Sequence, residues 1–142
     1  MNNPNKKIKD FFSEYEKSFS ALDIKKQAKL FSDTFISAGP KGAITQNKQQ
    51  FLDMAEQMAQ YYKKVGQEYA KVLSLEETPI SKEYSLIKVH WGAKFKKTGD
   101  KLVEFDVSYL LQTNLPELKI IMFVAHQDEE QAMKELGITP SK

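Results

Sequence analysis

The chain has 142 residues, 41% of them hydrophobic, with nine Phe, six Tyr and one Trp, which suits one core in a domain that buries about 68% of its unfolded surface and excludes a disordered chain. All 21 cationic residues are Lys, interleaved with 19 acids for a net charge of +2, so the arginine fork and the basic block that read nucleic acid are both missing, and no nucleic-acid partner is expected. No Cys is present, which rules out disulfides, thiolate zinc sites and cysteine nucleophiles and fits a reducing cytoplasm. Residues 1–10 carry no apolar signal core, and no run of about 18 apolar residues would span a membrane, so a soluble, unprocessed, cytoplasmic protein is expected.

Asn3-Pro4 offers an N-cap and a first-turn proline, and Ile8, Phe12, Tyr15, Phe19 and Leu22 follow at steps of three and four, the spacing of a buried helical stripe. Asp23 then caps a second helix that turns Ile24, Ala28 and Phe31 inward and Lys25, Lys26 and Lys29 to water. Thr34 to Ala38 and Ala43 to Thr45 read as short extended pieces around the turn Gly39-Pro40-Lys41-Gly42. Asn47 with Gln50 three places on forms a capping-box pattern, and Phe51, Ala55, Met58, Tyr62 and Val65 make the stripe of a long third helix ending at Gly66.

From Glu68 the period falls from about 3.6 to 2, which predicts three long strands and a fourth in an antiparallel meander, with turns at Thr78-Pro79, Thr98-Gly99-Asp100 and Asn114-Leu115-Pro116. Ile87, Val89, Trp91, Ala93 and Phe95 share one face, opposite Lys88, His90, Lys94 and Lys96. Val103, Phe105, Val107, Tyr109 and Leu111 share the inner face of the next strand, with Glu104, Asp106, Ser108 and Gln112 outside. Leu118 to Gln127 is apolar on both faces, so one face should meet the helices and the other a partner; a homodimer through the outer sheet face is expected. Glu129 to Leu136 reads as a short closing helix, and no linker or repeat divides residues 1–142, so one domain is expected.

The order of helix, helix, short hairpin, long helix and four-strand meander resembles the nuclear transport factor 2-like superfamily, which includes SnoaL-like cyclases and ketosteroid isomerases. The segment Leu30-Phe31-Ser32-Asp33-Thr34-Phe35-Ile36-Ser37-Ala38-Gly39-Pro40-Lys41-Gly42 is similar to that family's link from the second helix to the first strands. The resemblance implies an α+β, cystatin-like fold: a curved antiparallel sheet packed on three N-terminal helices, enclosing a cone-shaped cavity that many relatives use for small molecules, usually as homodimers. Relatives of the ketosteroid isomerase type work with a carboxylate base, a tyrosine and a protonated aspartic acid. Placed on that pattern, Tyr15 takes the position of the tyrosine and Tyr109 that of the aspartic acid, while Gly39 stands where the base would be and has no group to accept a proton. Isomerase chemistry by that mechanism is therefore not expected.

Tyr15, Phe35, Met58, Tyr62, Trp91 and Tyr109 are the candidate pocket residues, each apolar in body and three of them tipped with a hydroxyl, although plain core packing explains the same pattern. Met54 could complete their wall. His126, two residues before Asp128, is the candidate acid or base, to be weighed against a strand-end histidine bonded to backbone; His90, on a lysine-rich face, ranks below it. Two histidines on separate strands, with no His-x-x-x-His or Asp-x-Asp spacing, give no metal site, and no cofactor is implied. Gly39-x-x-Gly42 lacks the Lys-Ser/Thr of a phosphate loop and reads as a turn. The function read from this sequence is binding of a small, largely apolar molecule in the cavity. The alternatives are a small isomerase, cyclase or dehydratase using Tyr15 and His126, or a homodimeric interaction module.

Overall fold

In the computed structural model, which describes residues 5–127, helix α1 (Lys6–Ser20) starts from Asn5, whose side-chain oxygen accepts the Ile8 backbone N–H at 3.0 Å. The expected cap at Asn3-Pro4 lies outside the described residues, as do the expected helix over 129–136 and Asp128. The buried face of α1 holds Ile8, Phe12 and Tyr15, broadened by Phe11 and Ser18. Its end is closed by two backbone bonds, Leu22 N to Phe19 O at 3.1 Å and Asp23 N to Ser18 O at 2.8 Å, with Leu22 at φ 54°. Glycine is the usual residue in that closure because a Cβ in the left-handed region costs about 1–2 kcal/mol. Asp23 then caps α2 (Ile24–Ala28) by accepting the Lys26 N–H at 3.2 Å.

The helix stops at Ala28, so Phe31, expected on its inner side, instead opens strand β1 (Phe31–Gly39). The Ile120 N–H donates to Leu30 O at 2.8 Å and draws the chain into the sheet at this point. β1 pairs with β2 (Gly42–Asn47), and both are longer than the short pieces expected from sequence. Helix α3 (Lys48–Lys64) follows directly with the expected capping box: Asn47 accepts the Gln50 N–H at 2.9 Å and Gln50 accepts the Asn47 N–H at 2.9 Å.

Strands β3 (Gln67–Pro79), β4 (Tyr84–Phe95), β5 (Leu102–Gln112) and β6 (Lys119–Ala125) complete a six-stranded sheet in the order β2-β1-β6-β5-β4-β3. The meander β3 to β6 is antiparallel, as expected, but β6 returns beside β1 in the same direction, so the sheet holds one parallel pair. That pairing joins segments separated by α3 and the whole meander, and the local period carries no trace of it. The turn expected at Thr78-Pro79 lies further on: Pro79 still pairs with Ser85, which an edge strand tolerates because the missing N–H is not needed by a second neighbour.

Irregular register between Gln67 and Tyr69, Val72 and Ser74, Leu110 and Leu111, and Phe31 and Ile36 bends the sheet around the helices. Helix α1 also shields the β3 edge: Ser20 Oγ accepts the Ala70 N–H at 3.0 Å and Glu16 Oε2 accepts the Val72 N–H at 2.9 Å. Between helices and sheet lies a continuous core centred on Ile87, Val89 and Trp91, all 0% exposed. The inward and outward faces of β4 and β5 are those expected from their alternation.

The capping box is the main local fixture of α3. Asn47→Ala removes one of its two bonds and should lower stability by about 1 kcal/mol, read as a fall of roughly 4 °C in melting temperature; an unchanged melting temperature would show that tertiary packing alone sets the start of this helix.

Candidate functional site

The inner face of the sheet and the three helices leave a cavity of about 200 Å³ between them. On the sheet side its wall is Phe105, Val107 and Tyr109 of β5 with Phe123 and Ala125 of β6. On the other side Phe51, Ala55, Met58, Ala59 and Tyr62 of α3 recur at helical spacing, so one face of one helix supplies most of the wall. Met54, 39% exposed, stands where this face reaches solvent. Tyr15, Ser18 and Phe19 come from α1, and Leu22, in its left-handed backbone conformation, reaches the cavity from the closure after it. Helix α2 adds Ile24 and Gln27. The lining residues that carry polar side-chain groups are Tyr15, Tyr62, Tyr109, Gln27 and Ser18, whose Oγ donates to Tyr15 O at 2.8 Å.

Four of the six pocket residues named from sequence line this cavity: Tyr15, Met58, Tyr62 and Tyr109. The other two stand behind the wall. Trp91 is wholly buried and donates its indole N–H to the Tyr109 hydroxyl at 3.0 Å, with its ring 5.4 Å from that of Tyr15. Phe35 packs against Phe31 at 4.7 Å and Phe51 at 5.7 Å between ring centroids. Alternation along a strand gives the face of a residue but not its depth behind that face. Phe105 and Val107 could have been added from sequence, because they share the inner face with Tyr109. Ala55 and Ala59 carry no signal that separates a small wall residue from ordinary helical core.

His126 is not at the cavity. It is exposed, its backbone N–H donates to Asp106 O at 3.0 Å, and its Nε2 lies 2.7 Å from Ser108 Oγ. Ser108 alternates with Val107 and Tyr109, so this histidine sits across the sheet from Tyr15, and the structure does not bring the two together as an acid–base pair. Its partner in that reading, Asp128, lies outside the described residues. At Gly39 a Cβ would meet Ala125 Cβ, itself in the cavity wall, at 3.7 Å. An acid there would stand at the cavity edge, and the glycine supplies none.

The titratable cluster is at the histidine ranked lower. His90 Nδ1 lies 2.7 Å from Asp106 Oδ1 and Nε2 lies 2.7 Å from Glu104 Oε1, on the outer face of β4 and β5. Ser74, Glu76 and Lys88 border the same shallow cleft. The cluster depends on strand register, His90 opposite Asp106 with Glu104 two residues away, and the alternation within one strand does not fix register against the next. No group of three or more His, Cys, Asp or Glu among the described residues is arranged to hold a metal ion, and none of the described helices is long and apolar enough to cross a membrane.

A family model described as NTF2-like protein (DUF6841) matches residues 5–128 of the sequence. No curated protein matches it. Among solved structures, a protein of unknown function with a cystatin-like fold from Nostoc punctiforme is 11% identical, with 86% of this chain and 89% of that one covered at a TM-score of 0.68. An NTF-2 like protein of unknown function from Shewanella oneidensis is 12% identical, with 85% and 97% covered at 0.68. A ketosteroid isomerase-like protein from Erwinia carotovora atroseptica is 12% identical, with 84% and 92% covered at 0.62. At such identities the likeness is one of fold, and it agrees with the curved sheet and helices described above.

The hydrogen bonds from His90 to Glu104 and Asp106 raise the His90 pKa above its ordinary value of 6.5, and the bond from His90 holds Asp106 below its ordinary 3.8. The histidine therefore adds stability that is complete below pH 6.5 and is lost as pH rises through the raised value. The aspartate adds stability that is present above 3.8 and is lost as pH falls through the lowered value. Between those limits the pair is at its strongest. The melting temperature should fall between about pH 6 and about pH 9 by more in the wild type than in His90→Gln; parallel curves for the two proteins would mean that the cluster carries no linked stability.

Proposed function

Starting from a chain that belongs to the NTF2-like protein family DUF6841, we propose that it is a single-domain binding protein that holds a small, largely apolar molecule in the cavity between α3 and the sheet. The observation that carries this reading is the apolar-walled volume of about 200 Å³ that the described residues leave open. The space reaches solvent beside Met54, 39% exposed, so it is a pocket that a small molecule can enter rather than a sealed packing defect, and an apolar concavity with a few polar groups is the usual form of a small-molecule site. Small residues line it at Ala55, Ala59 and Ala125, where longer side chains would close it. Leu22 supports the same reading, since its side chain meets the cavity from a backbone conformation that disfavours any side chain.

A cytoplasmic setting is part of the proposal and is supported by the lack of cysteine. So is a homodimer through the outer sheet face, where Ile36 and Leu86 are exposed and Leu110, Met122 and Val124 are half-buried. Sedimentation should find a dimer that Met122→Lys weakens; a monomer at all concentrations would remove this element and leave the cavity reading intact.

The cavity itself is tested by filling it. Ala55→Leu adds three carbons on the α3 side and should raise stability by about 1–2 kcal/mol while abolishing the thermal shift that apolar compounds give the wild type, about 2.7 kcal/mol at a hundred times the dissociation constant. If no apolar compound shifts the wild type, and the substitution lowers the melting temperature as overpacking does, the space is not a binding site.

A further inference from the structure

The binding reading leaves the chemical class of the occupant open, and the lining narrows it. Among the described residues that border the cavity the tyrosines are the sole ionisable ones; the rest are apolar apart from Ser18 and Gln27. A carboxylate or ammonium moved into such a site gives up part of its hydration and meets no opposite charge among the described lining residues, which disfavours the charged form. Hydroxyl, carbonyl and amide groups meet partners of their own kind there, because an amide side chain such as that of Gln27 both donates and accepts. Gln27 is half-buried on α2, the short helix on which Lys25 and Lys26 are exposed. These two lysines are the obvious pull toward an anion, but they point to water, where a single charge is screened within about 10 Å at moderate salt. The size of the space limits the occupant further. An apolar cavity of roughly 150 Å³ takes up benzene, so one of about 200 Å³ that also opens to solvent holds a one- or two-ring compound of about six to thirteen non-hydrogen atoms.

We propose that the cavity selects an uncharged, one- or two-ring molecule bearing a single hydrogen-bonding group that the Gln27 side chain recognises, and that it rejects the carboxylate and ammonium counterparts of the same skeleton. This rests on the binding reading above, and it assigns Gln27 as a specificity-determining residue.

A matched set with one ring system makes the test: naphthalene, 2-naphthol, 2-naphthoate and 2-naphthylmethylammonium, titrated calorimetrically into the full chain at neutral pH and at low and high salt. The expected order is 2-naphthol first, then naphthalene, with both ions weaker than 2-naphthol by at least about tenfold. In Gln27→Leu the ratio of 2-naphthol to naphthalene affinity should fall to about one, a comparison internal to the variant that does not depend on its stability. Binding of 2-naphthoate as tight as that of 2-naphthol, weakened by salt, would overturn the inference in favour of a lysine-held anion and leave the binding reading standing. An unchanged ratio in the variant would overturn the role of Gln27. If none of the four binds, the inference falls, and the Ala55→Leu melting temperature decides separately whether the binding reading stands.

Discussion

The indole N–H of Trp91 is wholly buried, and its one hydrogen bond, 3.0 Å to the Tyr109 hydroxyl, ties β4 to β5 at the floor of the cavity. A buried donor left without a partner costs about 1–3 kcal/mol, so the tyrosine must keep its oxygen turned toward Trp91, and its ring is thereby fixed as part of the cavity wall. Tyr15 of α1 packs against both rings, 5.4 Å from Trp91 and 5.5 Å from Tyr109, which sets where the first helix lies on the sheet. With α1 placed there, its Ser20 and Glu16 reach the outer edge of β3 and protect its free N–H groups. The helices cannot move closer to the sheet without displacing this cluster, and the cavity is the space that remains beyond it.

The two faces of the sheet divide the chemistry of the molecule. The inner face presents Phe105, Val107, Tyr109, Phe123 and Ala125 to the cavity, rings and small apolar groups with one hydroxyl. Both histidines are outside, where His90 bridges Glu104 and Asp106 and His126 meets Ser108. Sheet pleating produces this separation directly, since Glu104, Asp106 and Ser108 alternate with Phe105, Val107 and Tyr109 along one strand. A reaction in the cavity that needs proton transfer would have to draw on tyrosine hydroxyls or on the bound molecule itself, whereas binding needs no more than the wall provides.

Local rules are legible in the sequence, and long-range ones are not. The Asn47–Gln50 box, the two faces of β4 and β5 and the turn at Gly99 follow from near neighbours and are found as expected. Three-and-four spacing continues past Ala28 to Phe31 and predicts a helix there; the strand pairing of Phe31 with Ile120, far along the chain, overrides that pattern. The same kind of distance hides the parallel β1–β6 pair and the His90 cluster, both of which exist only once register is set. For the site, side-chain character identified Tyr15, Met58, Tyr62 and Tyr109, but Trp91 and Phe35 have the same character and lie one layer deeper. The empty space itself is bounded by alanines, and a small residue looks alike in sequence whether it faces a void or a neighbour.

The most direct test of the central claim, that the volume between α3 and the sheet is real, apolar and unfilled by the protein's own side chains, is a crystal structure under xenon pressure. The account predicts a strong xenon peak bounded by Phe105, Phe123, Ala55 and Met58, with the Trp91–Tyr109 bond intact below it. No xenon there, with Met54 and Met58 folded down onto Phe105 and Phe123, would contradict it and make these residues ordinary core.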